Sequence, residues 1–271
     1  MRIRTARLLP YRLPLKAAWQ TAHGRFTERC GWLVRLEAQS GLIGWGDCAP
    51  LPEAGTEAPD EAEAWLHAQL PKQTQANADA LCGDRAAPAA RCALETALLD
   101  LGARAKGLPL AKLLHPGAAR SVDVAANAGA LGPDTPERLH LLAAAGYKVI
   151  KLKVGIAAIE RDLQLLRAAA EVLPVDVRLR LDANQAWDEG QATTFLAGLR
   201  DLPIESLEEP LRRARPTSLA HLQSEAPFPI ALDESLASFG HDRFLGEKTV
   251  RRLVLKPMVL GGPLAALRLV E

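Results

Sequence analysis

The sequence predicts an N-terminal α+β unit followed by a parallel β/α domain, and three observations carry that prediction. Residues 1 to about 117 run strands first and helices after. From Ser121 onward, short apolar strands alternate with amphipathic helices in six repeats of about 25 to 30 residues. Five successive strands of that second region each carry lysines or acids near their C-terminal end.

The first ~40 residues read as strands. "GWLVRLEA" alternates in part, and "SGLIGWGDCAP" follows a Ser-Gly turn, which predicts an antiparallel hairpin. "TEAPDEAEAWLHAQL" has helical spacing with acids near its start, where they favour the helix dipole. "APAARCALETALLDLGARAKG" is an Ala-rich helix ended by Gly107, and "LPLAKLLHPG" is a short helix closed by Pro116 and Gly117.

The six repeats follow. They are "SVDVAANAGA" with "PERLHLLAAAG", "KVIKLKVG" with "ERDLQLLRAAAEVLP", and "VRLRLDAN" with "QATTFLAGLRDLP". Then come "IESLEEP" with "TSLAHLQSEAP", "PIALDES" with "HDRFLGEKTV", and "RRLVLKPMVLGG" with "PLAALRLVE". Such alternation gives a parallel sheet covered by helices, either an open doubly wound sheet or most of a (β/α)8 barrel. The absence of a GxGxxG loop weighs against the first.

Composition narrows the function. The chain has 271 residues, is 48% hydrophobic and carries 33 basic against 32 acidic residues, net +1. That supports one or two domains with a sizeable core. No basic stripe points to nucleic acid or a membrane surface, and no apolar run reaches the ~18 residues of a membrane-spanning helix. "MRIRTARLLPYRLPLK" interrupts its apolar residues with charges and prolines, a poor signal peptide. Cys30, Cys48, Cys82 and Cys92 lack CxxC spacing and read as reduced thiols, so a cytoplasmic protein is expected.

The charged strand ends are Lys151 and Lys153, Asp182, Glu208 with Glu209, Asp233, and Lys256. From 153 to 182, 208, 233 and 256 the steps are 29, 26, 25 and 23 residues, one βα repeat each. In a parallel sheet such positions gather at one end, and in a barrel they ring the mouth, where barrel enzymes keep their active sites. Lys151 and Lys153 share side-chain parity, so both face the same side of their strand. Burying two unpaired cations there is costly unless negative charge sits opposite. Three carboxylates at a shared mouth would in turn repel, and a hard divalent cation relieves this. Oxygen-only ligands favour Mg²⁺. A lysine beside another cation has a depressed pKa and can serve as a base near neutrality. The set suits proton abstraction next to a carboxylate of a small-molecule substrate.

At these residues the sequence resembles the enolase superfamily, most closely its muconate-lactonizing-enzyme branch and, within that, the o-succinylbenzoate synthases. "GLIGWGDCAPLP" is similar to the N-terminal capping signature, and "CALETALLDLGARAKGLPLAKLL" to the helical end of that cap. "KLK", "LDANQAW", "LEEP", "ALDES" and "LKPMVLGG" follow in the family's order and spacing. The resemblance covers nearly the whole chain. It implies a (β/α)7β TIM-like barrel over residues 118–271 and an α+β capping domain over residues 1–117. With Glu271 inside the expected sixth helix, the barrel should be incomplete at its C-terminus.

The resemblance also assigns roles. Asp182, Glu208 and Asp233 match the Mg²⁺ ligands, with Glu208 preferred to Glu209 because the family's ligand stands two before the proline. Lys153 matches the acid/base, Lys151 the helper that orients a carboxylate oxygen and tunes it, and Lys256 the lysine on the opposite face. The implied activity is that of a lyase. It would catalyse the Mg²⁺-dependent syn dehydration of 2-succinyl-6-hydroxy-2,4-cyclohexadiene-1-carboxylate to o-succinylbenzoate, toward menaquinone, through an enediolate. Pro257 directly after Lys256 favours this over the dipeptide epimerases. An N-acylamino-acid racemase or dipeptide epimerase, or a non-catalytic remnant, are the alternatives. Residues 17–31 are expected as a mobile lid, "PLPEAGTEAP" as a second cap loop, and Arg25 and Arg29 as partners of a substrate carboxylate. Asp47 stands where relatives more often have Glu.

Overall fold

The computed structural model describes residues 1–21, 24–81, 86–238 and 249–270, in two compact units: residues 1–120 with 255–271, and residues 121–254.

In the first unit β1 (Ile3–Thr21), β2 (Gly24–Ala38) and β3 (Ile43–Cys48) form an antiparallel sheet in chain order. The expected hairpin is present: Trp32 pairs with Cys48 and Glu37 with Ile43, around a turn in which Gly41 has φ 84°. The segment expected as a lid is largely a ribbon. β1 and β2 pair out to Thr21 and Gly24, with an irregularity between Pro14 and Trp19. Residues 22–23 and Cys82 lie outside the described residues, as do residues 241–248 of the helix expected at 241–250.

Helices α1 (Pro59–Gln69), α2 (Pro88–Ala105) and α3 (Leu110–Leu114) follow. The first two begin with proline, whose missing N–H costs nothing at that position. The buried Glu57 carboxylate accepts the N–H groups of Ala89 (2.9 Å) and Ala90 (2.8 Å), satisfying two orphan donors at the α2 N-terminus. α2 lies directly on β3. A Cβ on Gly46 would stand 1.8 Å from the Ala93 carbonyl oxygen, and one on Gly44 2.3 Å from that of Ala97. The alternate glycines of "IGWGDC" therefore serve close backbone approach to an alanine face one helical turn long. Val34, Leu36, Leu66, Leu94 and Leu101 fill the core beneath. Cys30, Cys48 and Cys92 are free thiols, and burial pushes Cys92 up to about 11.

The second unit is built from β4 (Ala126–Ala130), α4 (Thr135–Ala144), β5 (Val149–Lys153), α5 (Ile159–Ala170), β6 (Arg178–Asp182) and α6 (Glu189–Ala197). It continues with β7 (Ile204–Glu208), α7 (Pro216–Glu225), β8 (Ile230–Leu232), α8 (Glu234–Ser238) and β9 (Arg252–Leu253). The strands lie in the order β4-β5-β6-β7-β8-β9, and every neighbouring pair is parallel. A doubly wound sheet reverses its order at a switch point, whereas a barrel wall does not. The open-sheet alternative is thereby overturned: these are six consecutive strands of a (β/α) barrel, and the other unit is an α+β capping domain.

Two strand expectations are corrected. The first strand starts at Ala126, not Ser121; Val122 and Val124 are 80% and 67% exposed, so their alternation marked no burial. In "RRLVLKPMVLGG" only Arg252–Leu253 is strand. The rest turns into α9 (Pro257–Leu260), ahead of α10 (Pro263–Arg268). Pro257 supplies the fixed φ of a first helical residue, and Gly261 at φ 85° caps the turn. Both short helices are tied to α2. Arg91 donates to the Leu260 carbonyl (2.7 Å), and the Glu95 carboxylate accepts the Leu264 N–H (2.8 Å). No described helix is long and apolar enough to cross a membrane.

Candidate active site

Parity separates the barrel strands into two faces. Ile150, Leu152, Leu179, Leu181 and Leu207 are fully buried or nearly so, as expected for side chains beneath covering helices. Lys151, Lys153, Arg180, Asp182, Ser206 and Glu208 occupy the other parity, toward the barrel interior.

The structure brings Lys151, Asp182 and Glu208 together. Asp182 and Glu208 are register partners at the ends of β6 and β7, with residue exposures of 3% and 1%. The Lys151 ammonium lies 2.8 Å from Asp182 Oδ2 and 2.9 Å from both carboxylate oxygens of Glu208. Burial works against that ammonium, yet the two carboxylates outweigh it and hold its pKa above the ordinary lysine value. Burial and the Asp182 charge push Glu208 up to about 7 against the pull of Lys151, and Asp233 pushes the same way. Of the two lysines of "VIKLKVG", Lys151 thus faces two acids.

Lys153 pairs in register with Asp182 and donates to Asn184 Oδ1 at 3.1 Å. Asn184 in turn donates from Nδ2 to Glu234 (2.9 Å), while its N–H reaches Asp182 Oδ1 (3.1 Å). Asn184 (φ 42°) and Gln185 (φ 63°) are left-handed without being glycine, a strained geometry that gathers at functional sites. Sequence reasoning assigned no role to Asn184 or Glu234; an Asn two residues beyond a strand-end acid, able to tolerate positive φ, was the available signal. Glu209 also has positive φ (45°), and its carboxylate turns away from Lys151 into the β8 exit turn. Asp233 opens that turn directly after β8. Lys256 stands three residues beyond β9, where its carbonyl accepts the N–H groups of Val259 and Leu260 in α9.

The remaining sequence candidates belong to the first unit. Arg29 donates to the carbonyls of Ala49 and Pro50, so it fastens the chain leaving β3. The Arg25 side chain falls outside what the structure describes. Asp47 accepts the Tyr11 hydroxyl at 2.7 Å.

The donor set fits a hard cation. Asp182 and Glu208 are buried oxygen donors, two acids to the one Lys151 ammonium they share. Among the described residues no three acids, histidines or cysteines are grouped closely enough to enclose an ion. Lys151 is the cation within reach of both acids.

Residues 135–271 match the Enolase C-terminal domain-like family, and residues 3–101 match MenC, N-terminal domain. The chain belongs to the enolase superfamily. It is 32% identical to an o-succinylbenzoate synthase of Thermosynechococcus vestitus, over 93% of this chain and 76% of that one. It is 31% identical to muconate cycloisomerase 1 of Pseudomonas putida, over 87% and 67%. A dipeptide epimerase from Enterococcus faecalis V583, complexed with Mg and L-Leu-L-Tyr, superposes with TM-score 0.84 at 26% identity, over 99% and 78%. An o-succinylbenzoate synthase from Thermosynechococcus elongatus BP-1, with Mg in its active site, gives 0.79 at 29%, over 98% and 80%. Superfamily membership makes the protein an enzyme and gives the strand-end cluster its context: barrel enzymes work at the C-terminal ends of their strands.

Proposed function

We propose that the protein is an o-succinylbenzoate synthase, dehydrating 2-succinyl-6-hydroxy-2,4-cyclohexadiene-1-carboxylate in the cytoplasm on the way to menaquinone. The observation that carries this reading is the match of the capping region, residues 3–101, to the MenC N-terminal domain, because barrel and charged strand ends alone are shared among several reactions. In this reading residues 118–271 are the barrel domain and residues 1–117 the cap.

Lys153 removes the ring proton α to the carboxylate. Departure of the 6-hydroxyl then leaves the ring aromatic. In a syn elimination, proton and hydroxyl leave from one face, so the same Lys153 ammonium can return the proton to the departing oxygen and release water. Asn184 holds the Lys153 nitrogen in place at 3.1 Å. Lys151, kept charged by its two acids, orients a carboxylate oxygen of the substrate and fixes positive charge beside Lys153. Asp182, Glu208 and Asp233 would hold Mg²⁺, which supplies Lewis-acid stabilisation of the charge that develops on the substrate carboxylate. Lys256, matched by the family resemblance to the second lysine, would offset negative charge without exchanging a proton.

The second reading is an N-acylamino-acid racemase or dipeptide epimerase, favoured by the epimerase likeness at TM-score 0.84. In that case Lys256 is a second base. The deciding assay offers the protein the synthase substrate with Mg²⁺, and N-acylamino acids or dipeptides in D₂O. Loss of water from the first, with no deuterium entering an α-carbon of the second, is the expected result. Deuterium wash-in without dehydration would establish the racemase reading instead.

A further inference from the structure

Glu209 stands beside Glu208 in sequence and serves a different set of partners. Its left-handed φ of 45° turns the chain at the end of β7 and sends its carboxylate toward the β8 exit. There Oε1 accepts the N–H groups of Asp233 (2.7 Å) and Ser235 (2.9 Å). Oε2 accepts the Ser235 hydroxyl (2.7 Å) and, more weakly, the Gln185 amide (3.4 Å). The Glu209 carbonyl takes the Gln185 N–H at 2.7 Å. The residue is 1% exposed. A carboxylate that deeply buried persists only when donors replace its water, and all of these come from the exits of β6 and β8. Those exits carry Asn184, which holds Lys153, and Asp233.

We propose that Glu209 is a positioning residue. It fixes the Asp233 turn and the Asn184–Gln185 turn against the end of β7, so that three strand ends present their acids and Lys153 in one arrangement. The inference rests on the reading of Asp233 as a metal ligand and Lys153 as the acid/base. A plain stabilising clamp would satisfy the same hydrogen bonds, so the test must separate stability from positioning.

Glu209→Ala, Glu209→Gln and Ser235→Ala are made in the full chain. Three quantities are measured: thermal midpoint, residue-resolved amide exchange, and affinity for MgCl₂ alone by calorimetry. Glu209→Ala should speed exchange at Asp233 and Ser235 while Leu181 and Leu207 stay protected, and should weaken Mg²⁺ binding by about 10- to 100-fold, the usual penalty for losing a support behind a ligand. Glu209→Gln keeps one acceptor oxygen and should fall between it and the wild type; Ser235→Ala should do least. If Glu209→Ala does not fold, the other two variants carry the same ordering. Unchanged exchange at Asp233 and Ser235 overturns the inference. So does faster exchange with undiminished Mg²⁺ affinity, which would leave only a clamp. A wild-type protein that takes up no Mg²⁺ sinks the metal-site reading separately; the positioning of Lys153 is then read from the turnover of Glu209→Ala, and turnover equal to wild type overturns it.

Discussion

The two ends of the parallel sheet hold charge in opposite balance. At the base, the β7 residue Glu205 sits between Arg180 (3.1 Å) and Arg252 and also accepts the Ser206 hydroxyl at 2.7 Å. At the mouth, Asp182 and Glu208 share Lys151. The base gives one acid two cations; the mouth gives two acids one. Burial alone would raise Glu205, but hydrogen bonds from Arg180, Arg252 and Ser206 outweigh it and hold the carboxyl down at about 2. Glu208, three residues along the same strand, is pushed up to about 7. Residue type and strand are the same, so deeper burial of Glu208 and the opposite balance of neighbouring charge make the difference. The base is electrostatically complete, as a structural tie is. The mouth is short of positive charge, as an end that takes up a cation or moves a proton is.

The largest effects should separate the two ends by kind. Lys153→Ala is expected to lower turnover of the synthase substrate by about 10²- to 10⁴-fold, the range for a lost general acid or base, with an unchanged thermal midpoint. Unchanged turnover would remove Lys153 from the chemistry. Glu205→Ala should do the reverse. It leaves two partly exposed guanidiniums in the sheet without their acid, which costs about 1.5–3 kcal/mol for hydrogen bonds to a charged group, read as a lower urea midpoint. Its kcat, measured well below that midpoint, should stay near wild type.

This contrast also explains how much was legible beforehand. The mouth could be read because its charges recur once per βα repeat, and a parallel sheet turns that recurrence into proximity. The base could not. Its triad joins Arg180 to Glu205 and Arg252, whose spacing follows no repeat, and a register irregularity next to Glu205 lies between the Leu179–Ile204 and Arg180–Ser206 pairs. Glu57 and Glu95 escaped for the same reason: each accepts backbone N–H groups far away in sequence, and an acid in a polar stretch or in a helix looks solvated until the fold is known. Asn184 and Glu209 depend on left-handed backbone, which Asn favours only weakly and Glu does not signal at all. The short strand before Lys256 was over-read because Lys256 is flanked by apolar residues on both sides, and an apolar run does not distinguish a strand from a buried helical turn.

A smaller effect tests the base through pH. The folded pKa of Glu205, about 2, lies below the ~4.3 of an unfolded glutamate. Its contribution to stability is therefore complete above about pH 4.5 and is lost as pH falls toward 2, an amount on the order of 3 kcal/mol. Urea midpoints of wild type and Glu205→Ala should differ most at pH 5 and above, and the gap should shrink to roughly a quarter by about pH 2.5. A gap that stays constant over that range would mean that Glu205 is not held ionised by its arginines.

The smallest expected effect bears on the mouth alone. If Asp182, Glu208 and Asp233 take up Mg²⁺, the ion binds the folded chain and not the unfolded one, so it stabilises by mass action. At 100 times its dissociation constant the gain is about 2.7 kcal/mol, read as a rise in thermal midpoint. Glu208→Gln should abolish that rise, since a neutral amide neither offers the charge nor shares the excess that a cation relieves. Glu205→Ala should keep the rise in full on its lowered baseline, because the base triad shares no ligand with the mouth and independent perturbations add. A Mg²⁺ response that disappears in Glu205→Ala would show the two ends to be coupled through the sheet. One that survives in Glu208→Gln would place the ion away from the β6 and β7 ends.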